Sequence, residues 1–296
     1  SGAVVGAFQV LDAVNDGVLD AAHSVPVYWY GKNKAASLFG TGPVFGGSAT
    51  TMLSWFYAGG GAEFYRELQQ DILGMNVVGY MGFPMFAQPF GWFKGEVNTI
   101  ADIQGFKYRT VGLAADLMQA MGMSVAQLPG GEIVPAMDRG LLDAAEFNNA
   151  SSDRLLGFPD VSKVCMLQSF HQSSEQFEVM FNKTKYNKLP AEIKAIIANA
   201  AEAASADMSW KAIDRYSKDY AEMQSKDGVK FFKTPDSILK AQLAAWDAVT
   251  KEKAASNPMF KKVLDSQRAF AARAAKWQAD TSVDFKMAQA FYAQKK

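Results

Sequence analysis

The alternation of apolar and polar positions is most regular between residues 105 and 153. Five elements are predicted there in order: strand Phe106–Val111, helix Leu113–Met121, strand Ser124–Leu128, helix Glu132–Arg139 and strand Leu142–Phe147. Turn residues such as Gly112, Gly122 and Gly140 fall at the ends of these elements. Short strands that alternate with helices indicate a parallel sheet with right-handed crossovers.

Two charged residues fall at the carboxyl ends of these strands, where parallel sheets bind their ligands. Arg109 lies near the end of the first strand and Glu146 at the end of the third. We therefore expect a fixed cation and a fixed carboxylate to face one crevice. An arginine in that position suits bidentate capture of a carboxylate.

The same patterns predict the remaining elements. Before the central stretch we expect an amphipathic helix over 8–22 with Phe8, Leu11, Val14, Val18 and Leu19 inward, and a strand or strand end over Ser24–Tyr30. Helix Ala62–Asp71, strand Met75–Met81 and an aromatic loop over 82–93 are expected to follow. After the central stretch we expect strand Val161–Gln168, a strand through Phe177, Val179 and Phe181, helices from Pro190, strand Val229–Lys233 and a continuous helix from Met259 to about Ala293. That last helix would be roughly 50 Å long, so it must cross both domains or reach a partner subunit.

Composition narrows the class of protein. The 296 residues are 49% hydrophobic, which suffices for a large core and suggests two domains. Thirty basic and thirty acidic side chains give no reason to expect binding to nucleic acid or to an anionic membrane. The single cysteine, Cys165, excludes an internal disulfide. No apolar run reaches the ~18 residues that span a bilayer, and the N-terminus lacks a signal segment, so we expect that any export signal has been removed.

Several motifs carry a family resemblance. The segments GFKYR (105–109), LPGGEI (128–133) and AMDRGLLDAAEF (136–147), with Gln88 and the later Gly-Trp-Phe at 91–93, resemble the solute-binding subunits of tripartite ATP-independent periplasmic (TRAP) transporters, the DctP family. The chain is most similar to the TakP-like branch, which binds small oxo-acids through a bound cation. The resemblance extends from Phe8 to about Asp284.

The resemblance implies an α/β, two-lobed periplasmic-binding-protein fold with mixed sheets, hinge strands and a long C-terminal helix. Lobe I would comprise 1–88 and 173–235, lobe II 89–172, and the C-terminal helices 236–296 would pack across the lobes or on a partner. Relative to the family pattern, the chain begins without the usual first strand and helix of lobe I.

The resemblance also implies a site. Its substrate-binding residues would be Arg109, Gln88, Tyr28, Phe147, Asn148 and Asn149. Ca²⁺ or Na⁺ would be held by the side chains of Glu146, Gln172 and Gln88 and by the backbone carbonyl of Phe147, and no organic cofactor is expected. His171 is expected at the pocket rim or in packing, and Glu146 could instead pair with Arg109 in the empty site.

The chain departs from the family pattern at two single residues and in one six-residue segment. Gln172 stands where the family has a carboxylate or amide metal ligand, which keeps an oxygen but drops a charge. Phe147 replaces a tryptophan, and NNASSD (148–153) replaces VGPYDD at the wall of the site. The identity of the ligand therefore cannot be carried over from the family.

The function implied by the resemblance is a periplasmic receptor without enzymatic turnover. It would capture a small organic acid anion, of the 2-oxo or 2-hydroxy monocarboxylate type, and deliver it to the membrane permease subunits. Members of this branch can also form homodimers through the C-terminal helix. Two alternatives remain at this point: a lyase or isomerase that uses Glu146 as a base beside Arg109, and an interaction protein built on the C-terminal helix. The enzyme alternative lacks further support, because the sequence shows no nucleophile–His–acid arrangement beside Glu146 and Arg109 and no Rossmann-type cofactor fingerprint.

Overall fold

A computed structural model of the chain describes residues 2–294. Residue 1 and residues 295–296, the outer ends of the predicted lobe I and C-terminal segment, lie outside the described part. The strands are β1 (Ala21–Ser24), β2 (Val77–Met85), β3 (Gly91–Phe93), β4 (Lys107–Arg109), β5 (Ser124–Ala126), β6 (Ala144–Ala145), β7 (Val164–Leu167), β8 (Glu175–Asn182) and β9 (Lys230–Lys233). They form two sheets.

The first sheet has three strands in the order β1-β8-β2, and both pairings are antiparallel. Strand β8 lies between its neighbours, so Val179 is opposite both His23 and Tyr80. The pairing of β2 with β8 shifts register between Gly82 and Met85, close to where the chain leaves this sheet.

The second sheet has six strands in the order β5-β4-β6-β3-β7-β9. Strand β4 is parallel to β5 and to β6, which confirms the parallel unit expected from residues 105–153. Strand β3 runs antiparallel to β6 and β7, and β7 is parallel to β9. The sheet is therefore mixed, as the resemblance implied.

Helices cover both sheets. They are α1 (Val10–Asn15), α2 (Ser37–Gly40), α3 (Ala49–Ala58), α4 (Gly61–Arg66), α5 (Leu113–Ala120), α6 (Gly130–Asp138), α7 (Ala150–Leu156), α8 (Phe158–Val161), α9 (Lys183–Asn187), α10 (Ala191–Ser225), α11 (Asp236–Ser256), α12 (Pro258–Thr281) and α13 (Phe285–Ala293). A π-helical segment, Glu67–Ile72, continues α4. The 35-residue helix α10 contacts both β2 of the first sheet and α7 beside the second.

The core follows the predicted apolar faces. Leu113 and Leu117 of α5 and Met121 at its C-terminal cap are buried at helical spacing in the larger hydrophobic cluster. A smaller cluster surrounds Trp92 and Phe158 under the second sheet. Burial of these side chains contributes about 1.5–3 kcal/mol each, which explains why the periodic pattern predicts the elements well.

The predictions for residues 8–30 are partly wrong. The helix ends at Asn15, because Gly17 adopts a positive φ of 76° and the chain turns into strand β1. Val18, predicted to be buried, is 64% exposed. The predicted strand Ser24–Tyr30 is instead a 3₁₀ helix over Pro26–Trp29, because Pro26 is preorganised for the first position of a helix.

The C-terminal helix is long but not continuous to Ala293. Helix α12 ends at Thr281, where Ser282 turns extended with ψ of 134°. The carboxylate of Asp284 then accepts hydrogen bonds from the backbone N–H groups of Lys286 and Met287 and starts α13. The cap favours a new helix start over continuation of α12. The sequence prediction of one continuous helix relied on the absence of Gly and Pro and did not take this cap into account.

The predicted lobe boundaries stay a prediction. In that division residues 230–233 belong to lobe I, whereas strand β9 pairs with β7 in the six-stranded sheet. Across residues 2–294, no helix combines the length and apolarity needed to cross a membrane.

Candidate functional site

A cavity of about 670 Å³ lies between the two sheets. Its polar lining side chains are His23, Ser24, Tyr28, Arg109, Asn148, Gln172 and Glu175. Its apolar lining includes Val25, Val111, Phe147, Leu156 and Phe177. Arg109 comes from the second sheet and Glu175 from the first, so both sheets contribute charge to one space.

Arg109 is fixed before any ligand binds. Its Nη1 donates to Oε1 of Glu146 at 2.9 Å and to the backbone oxygen of Glu146 at 3.0 Å, and its Nε donates to the carbonyl of Leu128 at 2.8 Å. Both charged side chains are almost fully buried, with 1% and 0% exposure. Because removing charges from water is costly, such a pair persists only with well-made hydrogen bonds.

Two atoms of this ion pair lack a hydrogen-bond partner among the described residues: Nη2 of Arg109 and Oε2 of Glu146. The Tyr28 hydroxyl lies near the Arg109 charge, which opposes the rise in the Tyr28 pKa that burial causes. A buried donor and a buried acceptor without partners cost free energy. Both would be satisfied by an anion at Arg109 and a cation at Glu146.

A second buried carboxylate, Glu175, lies next to this pair. Its Oε2 accepts from Nε2 of Gln88 at 3.1 Å and from Nδ2 of Asn148 at 2.9 Å. Burial, and next the Glu146 charge, raise the pKa of Glu175 to about 8. Burial also raises the pKa of Glu146 to about 7, against the opposing attraction of Arg109. The negative charge of Glu146 therefore opposes the ionisation of Glu175.

The two chain crossings between the sheets meet at Gln88 and Gln172. The side-chain Nε2 of Gln88 donates to Oε1 of Gln172 at 3.0 Å, and the backbone N–H of Gln88 donates to the carbonyl of Gln172 at 3.0 Å. Oε1 of Gln88 is buried and has no partner among the described residues. The crossings thus carry an amide oxygen that is available to a ligand or a cation.

Phe147 and Tyr28 supply aromatic surface. The guanidinium carbon of Arg109 lies 5.8 Å from the centre of the Phe147 ring, within cation–π range. A Cβ atom at Gly130, the first residue of α6, would approach the Phe147 ring to 2.5 Å, so the glycine makes room for the ring. Tyr28 packs edge-on against Phe8 with ring centres 4.9 Å apart.

Three of the predicted site residues, Gln88, Glu146 and Asn149, do not line the cavity. The side-chain oxygen of Asn149 caps helix α7, where it accepts from the backbone N–H groups of Ser151 and Ser152. His171 is fully buried, its Nδ1 lies 2.6 Å from Oγ of Ser169, and burial lowers its pKa to about 3. His171 is a packing residue and not part of the cavity rim.

The sequence reasoning missed Glu175. A signal for it was available, because Glu175 shares the face of β8 with Phe177 and Val179 by the two-residue period of a strand. An acidic residue on an otherwise apolar face suggests a buried charge with a specific partner.

The donors around the cavity suit a hard cation. Gln88 contacts both Gln172 and Glu175, and the Glu146 charge acts on Glu175. One side-chain oxygen of Glu146 and one of Gln88 lack a partner within residues 2–294. Over the described residues no cluster of three or more His, Cys, Asp or Glu side chains forms a conventional metal centre. The arrangement can therefore hold Ca²⁺ or Na⁺ only with amide, backbone or ligand oxygens in the shell.

Comparisons with known proteins agree with this geometry. The family model for bacterial extracellular solute-binding proteins, family 7 (DctP), matches residues 1–257. A monocarboxylate 2-oxoacid-binding periplasmic protein from Nostoc sp. is 30% identical over 280 residues, 94% of this chain and 75% of that protein.

Two solved structures are similar over nearly the whole chain. One is a TRAP transporter solute-binding protein from Bordetella bronchiseptica RB50, which has a TM-score of 0.90 and 25% identity to this chain. The similarity covers 100% of this chain and 85% of that one. That structure is a mixed-occupancy dimer, with copurified calcium and picolinate in one active site and the other site apo. A TRAP periplasmic solute-binding protein from Pseudoalteromonas atlantica T6c, with bound sodium and pyruvate, gives a TM-score of 0.86 at 28% identity and covers 97% of this chain and 84% of that one.

Proposed function

The chain belongs to the DctP family of bacterial extracellular solute-binding proteins, and from this premise we propose that its cavity captures a small 2-oxo or 2-hydroxy monocarboxylate. The protein is the periplasmic receptor of a TRAP transporter and not an enzyme. Its ligand would be delivered to the membrane permease subunits. The lyase or isomerase alternative, with Glu146 as base, is thereby set aside.

The observation that carries the proposal is the buried guanidinium of Arg109 in the cavity wall, with Nη2 unpartnered among the described residues. A ligand carboxylate at Nη2 would satisfy this donor and balance the charge. Gln88, Tyr28, Phe147 and Asn148 would complete the substrate site. Asn149 would act indirectly, by capping α7 beside Asn148.

We also propose that Ca²⁺ or Na⁺ binds beside the carboxylate. Glu146, Gln88, Gln172 and the backbone carbonyl of Phe147 would hold it, and Oε2 of Glu146 and Oε1 of Gln88 are the atoms without partners. The cation would offset the buried negative charge and offer a coordination position to a keto or hydroxyl oxygen of the ligand.

Thermal unfolding with added ligands tests this proposal. Chelator-treated protein is mixed with mono- and dicarboxylates, each with Ca²⁺, with Na⁺ or with neither ion. At a pyruvate concentration 100-fold above Kd, mass action adds about 2.7 kcal/mol and raises Tm by about 5 °C. The shift should require both acid and cation.

Variants of Arg109 identify the anion site. Arg109→Lys keeps the charge but loses the fork geometry, and it should weaken pyruvate binding by about tenfold or more. Loss of the Arg109 charge alone would leave the buried negative charge of Glu146 without a partner. Arg109→Met is therefore combined with Glu146→Gln, so that the protein remains folded. Arg139→Ala, at an exposed site, is the control. An undiminished pyruvate shift in both Arg109 variants would contradict the assignment.

We further propose that the C-terminal segment forms a homodimer contact. Trp277 is 65% exposed, and Phe285 and Met287 are 73% and 69% exposed, so the end of α12 and the start of α13 present an apolar surface. The Bordetella relative crystallised as a dimer. Light scattering should give twice the chain mass, and the pair Trp277→Glu and Phe285→Glu should give a monomer. A monomeric unsubstituted protein at micromolar concentration would rule out this contact.

A further inference from the structure

We propose that Glu175 is a second carboxylate ligand of the cation and that it makes the site selective for a divalent ion. This inference rests on the proposed carboxylate and cation site and assigns a role to a residue outside the family's motif. It concerns only which ion this chain prefers and why.

The position of Glu175 supports this role. The side chain is 4% exposed and lines the cavity. One nitrogen, Nε2 of Gln88, donates both to Oε2 of Glu175 and to Oε1 of Gln172, at 3.1 and 3.0 Å. The two acceptor oxygens are therefore at most about 6 Å apart, which is within reach of a single ion with ligands at 2.3–2.6 Å after small side-chain rotations.

The neighbouring amide gives a second reason. Gln88 directs its N–H group to Glu175 and leaves Oε1 without a partner among the described residues. Asn148 also donates to Glu175. The two amides hold the carboxylate in place at the cavity wall, as outer groups do for metal-binding carboxylates.

Charge balance decides which ion fits. Gln172 is neutral at a position where the family pattern has a carboxylate or amide ligand. Glu175, three residues later in the chain, places a carboxylate beside the same amide groups. Arg109 is the one lysine or arginine among the described residues that line the cavity, and the ligand carboxylate offsets it. Glu146 and Glu175 then leave two negative charges in a space of low polarity. One divalent ion neutralises both, whereas Na⁺ leaves a buried charge uncompensated.

Isothermal titration tests the ion preference directly. Chelator-treated protein is titrated with Ca²⁺ in buffer free of sodium, with and without pyruvate, and then with Na⁺. The unsubstituted protein should bind Ca²⁺ at least tenfold more tightly than Na⁺ at equal pyruvate. Glu175→Gln has nearly the same shape and should lose at least tenfold in Ca²⁺ affinity, while Na⁺ should then support pyruvate binding.

Two further variants control the test. Glu178→Gln changes another buried carboxylate on β8, outside the cavity, and should leave the ion preference unchanged. The double variant Gln172→Glu with Glu175→Gln returns the carboxylate to the family position and should recover the preference for Ca²⁺. If Glu175→Gln does not fold, this double variant and Glu175→Asp, which keeps the charge, still test the claim through their Ca²⁺ preference.

The outcomes separate the two proposals. Pyruvate binding that keeps its Ca²⁺ preference in Glu175→Gln overturns the role of Glu175 and leaves the receptor assignment intact. Pyruvate binding without any cation in the unsubstituted protein also overturns it, because Glu175 would then be a neutral hydrogen-bonding group. Failure of every carboxylate to bind, to the unsubstituted protein and to all variants, overturns the receptor's proposed ligand class and this inference together.

Discussion

Arg109 is held by three acceptor atoms, from Glu146 and Leu128, before any ligand arrives. This fixed geometry would lower the entropy cost of binding the proposed anion, because the guanidinium has no rotamers left to lose. The Phe147 ring is also held in a defined position, because Gly130 has no Cβ atom to occupy the space that the ring fills. At the scale of single residues, contacts within the protein itself hold the side chains of the candidate site in position.

Substitution of Gly130 by alanine tests the role of the Phe147 ring. Because the new Cβ would come within 2.5 Å of the ring, the ring must rotate away from its contact with Arg109. We expect about a tenfold loss in ligand affinity with a stability change within about 1 kcal/mol, since alanine itself favours the helix. Titration with pyruvate measures the affinity. Gly95→Ala, where no atom lies within 4 Å, is the control, and equal affinities in the two variants would refute the prediction.

A buried carboxylate away from the site should make stability depend on pH. Glu178 accepts hydrogen bonds from Trp29, Tyr65 and Gln69, and burial raises its pKa above the usual value of 4.5 despite those bonds. A raised pKa in the folded state means that this contribution to stability is complete below pH 4.5 and is lost as the pH rises through the folded-state pKa.

The variant Glu178→Gln removes this titration. The free energy of unfolding of the variant should therefore rise relative to the unsubstituted protein as the pH increases from about 4.5 toward 7. Urea unfolding at several pH values measures the difference. A constant difference across that range would show that Glu178 does not change its protonation on unfolding.

Single elements of secondary structure also carry functional consequences. Helix α7 begins directly after the cavity residues Phe147 and Asn148, and its cap at Asn149 fixes where that helix starts. Helix α10 contacts strand β2 of the first sheet, and its Tyr220 ring packs on Phe231 of strand β9 in the second sheet. At this scale, capping side chains and helix ends determine where the site residues lie, and apolar periodicity alone does not reveal them.

Asn149→Ala should separate capping from ligand binding. Loss of the cap costs about 1 kcal/mol of stability, within the usual range of 0.5–2 kcal/mol. Because Asn149 does not line the cavity, the affinity for pyruvate should fall by less than about threefold. Asn149→Ser keeps a capping oxygen and should recover most of the stability. A large loss of affinity without loss of stability would instead place Asn149 in direct contact with the ligand.

The whole molecule has the predicted α/β, two-lobed periplasmic-binding-protein architecture, which the fold shared with TRAP solute-binding proteins confirms. The cavity lies between its two sheets, and the chain crosses between them near Gln88 and Gln172. A ligand that bridges both sheets stabilises the arrangement that brings them together. Opening of the whole structure should therefore be slower when the ligand is bound.

The single cysteine offers a probe of such opening. Cys165 is 1% exposed on β7, between strands β3 and β9 of the second sheet, and burial raises the pKa of its thiol well above the usual value. A thiol reagent should react only through opened or unfolded molecules. Saturation with pyruvate and Ca²⁺ at 100-fold above Kd should slow the reaction by about 100-fold. Reaction at the rate of an exposed thiol, unaffected by ligand, would contradict the closed position of Cys165.

Much of the central unit could be predicted from the sequence, because its features are local. The parallel strands around Arg109 and Glu146 follow from periodicity and turn residues, and burial of the periodic face supplies the energy that holds them. The predicted helix over 8–22 is too long, because the chain turns at Gly17 after Asn15. The predicted extended segment Ser24–Tyr30 is largely a 3₁₀ helix that begins at Pro26. In both segments the apolar pattern alone does not distinguish the predicted element from the observed one. The break at Ser282 depends on the Asp284 cap, which competes with a helix of adequate propensity.

The sequence alone therefore determined the central parallel unit, the position of Arg109 within it and the family motifs that carry the resemblance. Only the tertiary structure brought Glu175 next to Gln88 and Gln172, and only it moved Asn149 from the ligand wall to a helix cap. The physical reason is sequence distance. Gln88 and Glu175 are 87 residues apart, and long-range contacts between polar atoms leave no periodic trace in the chain, whereas burial of an apolar face does.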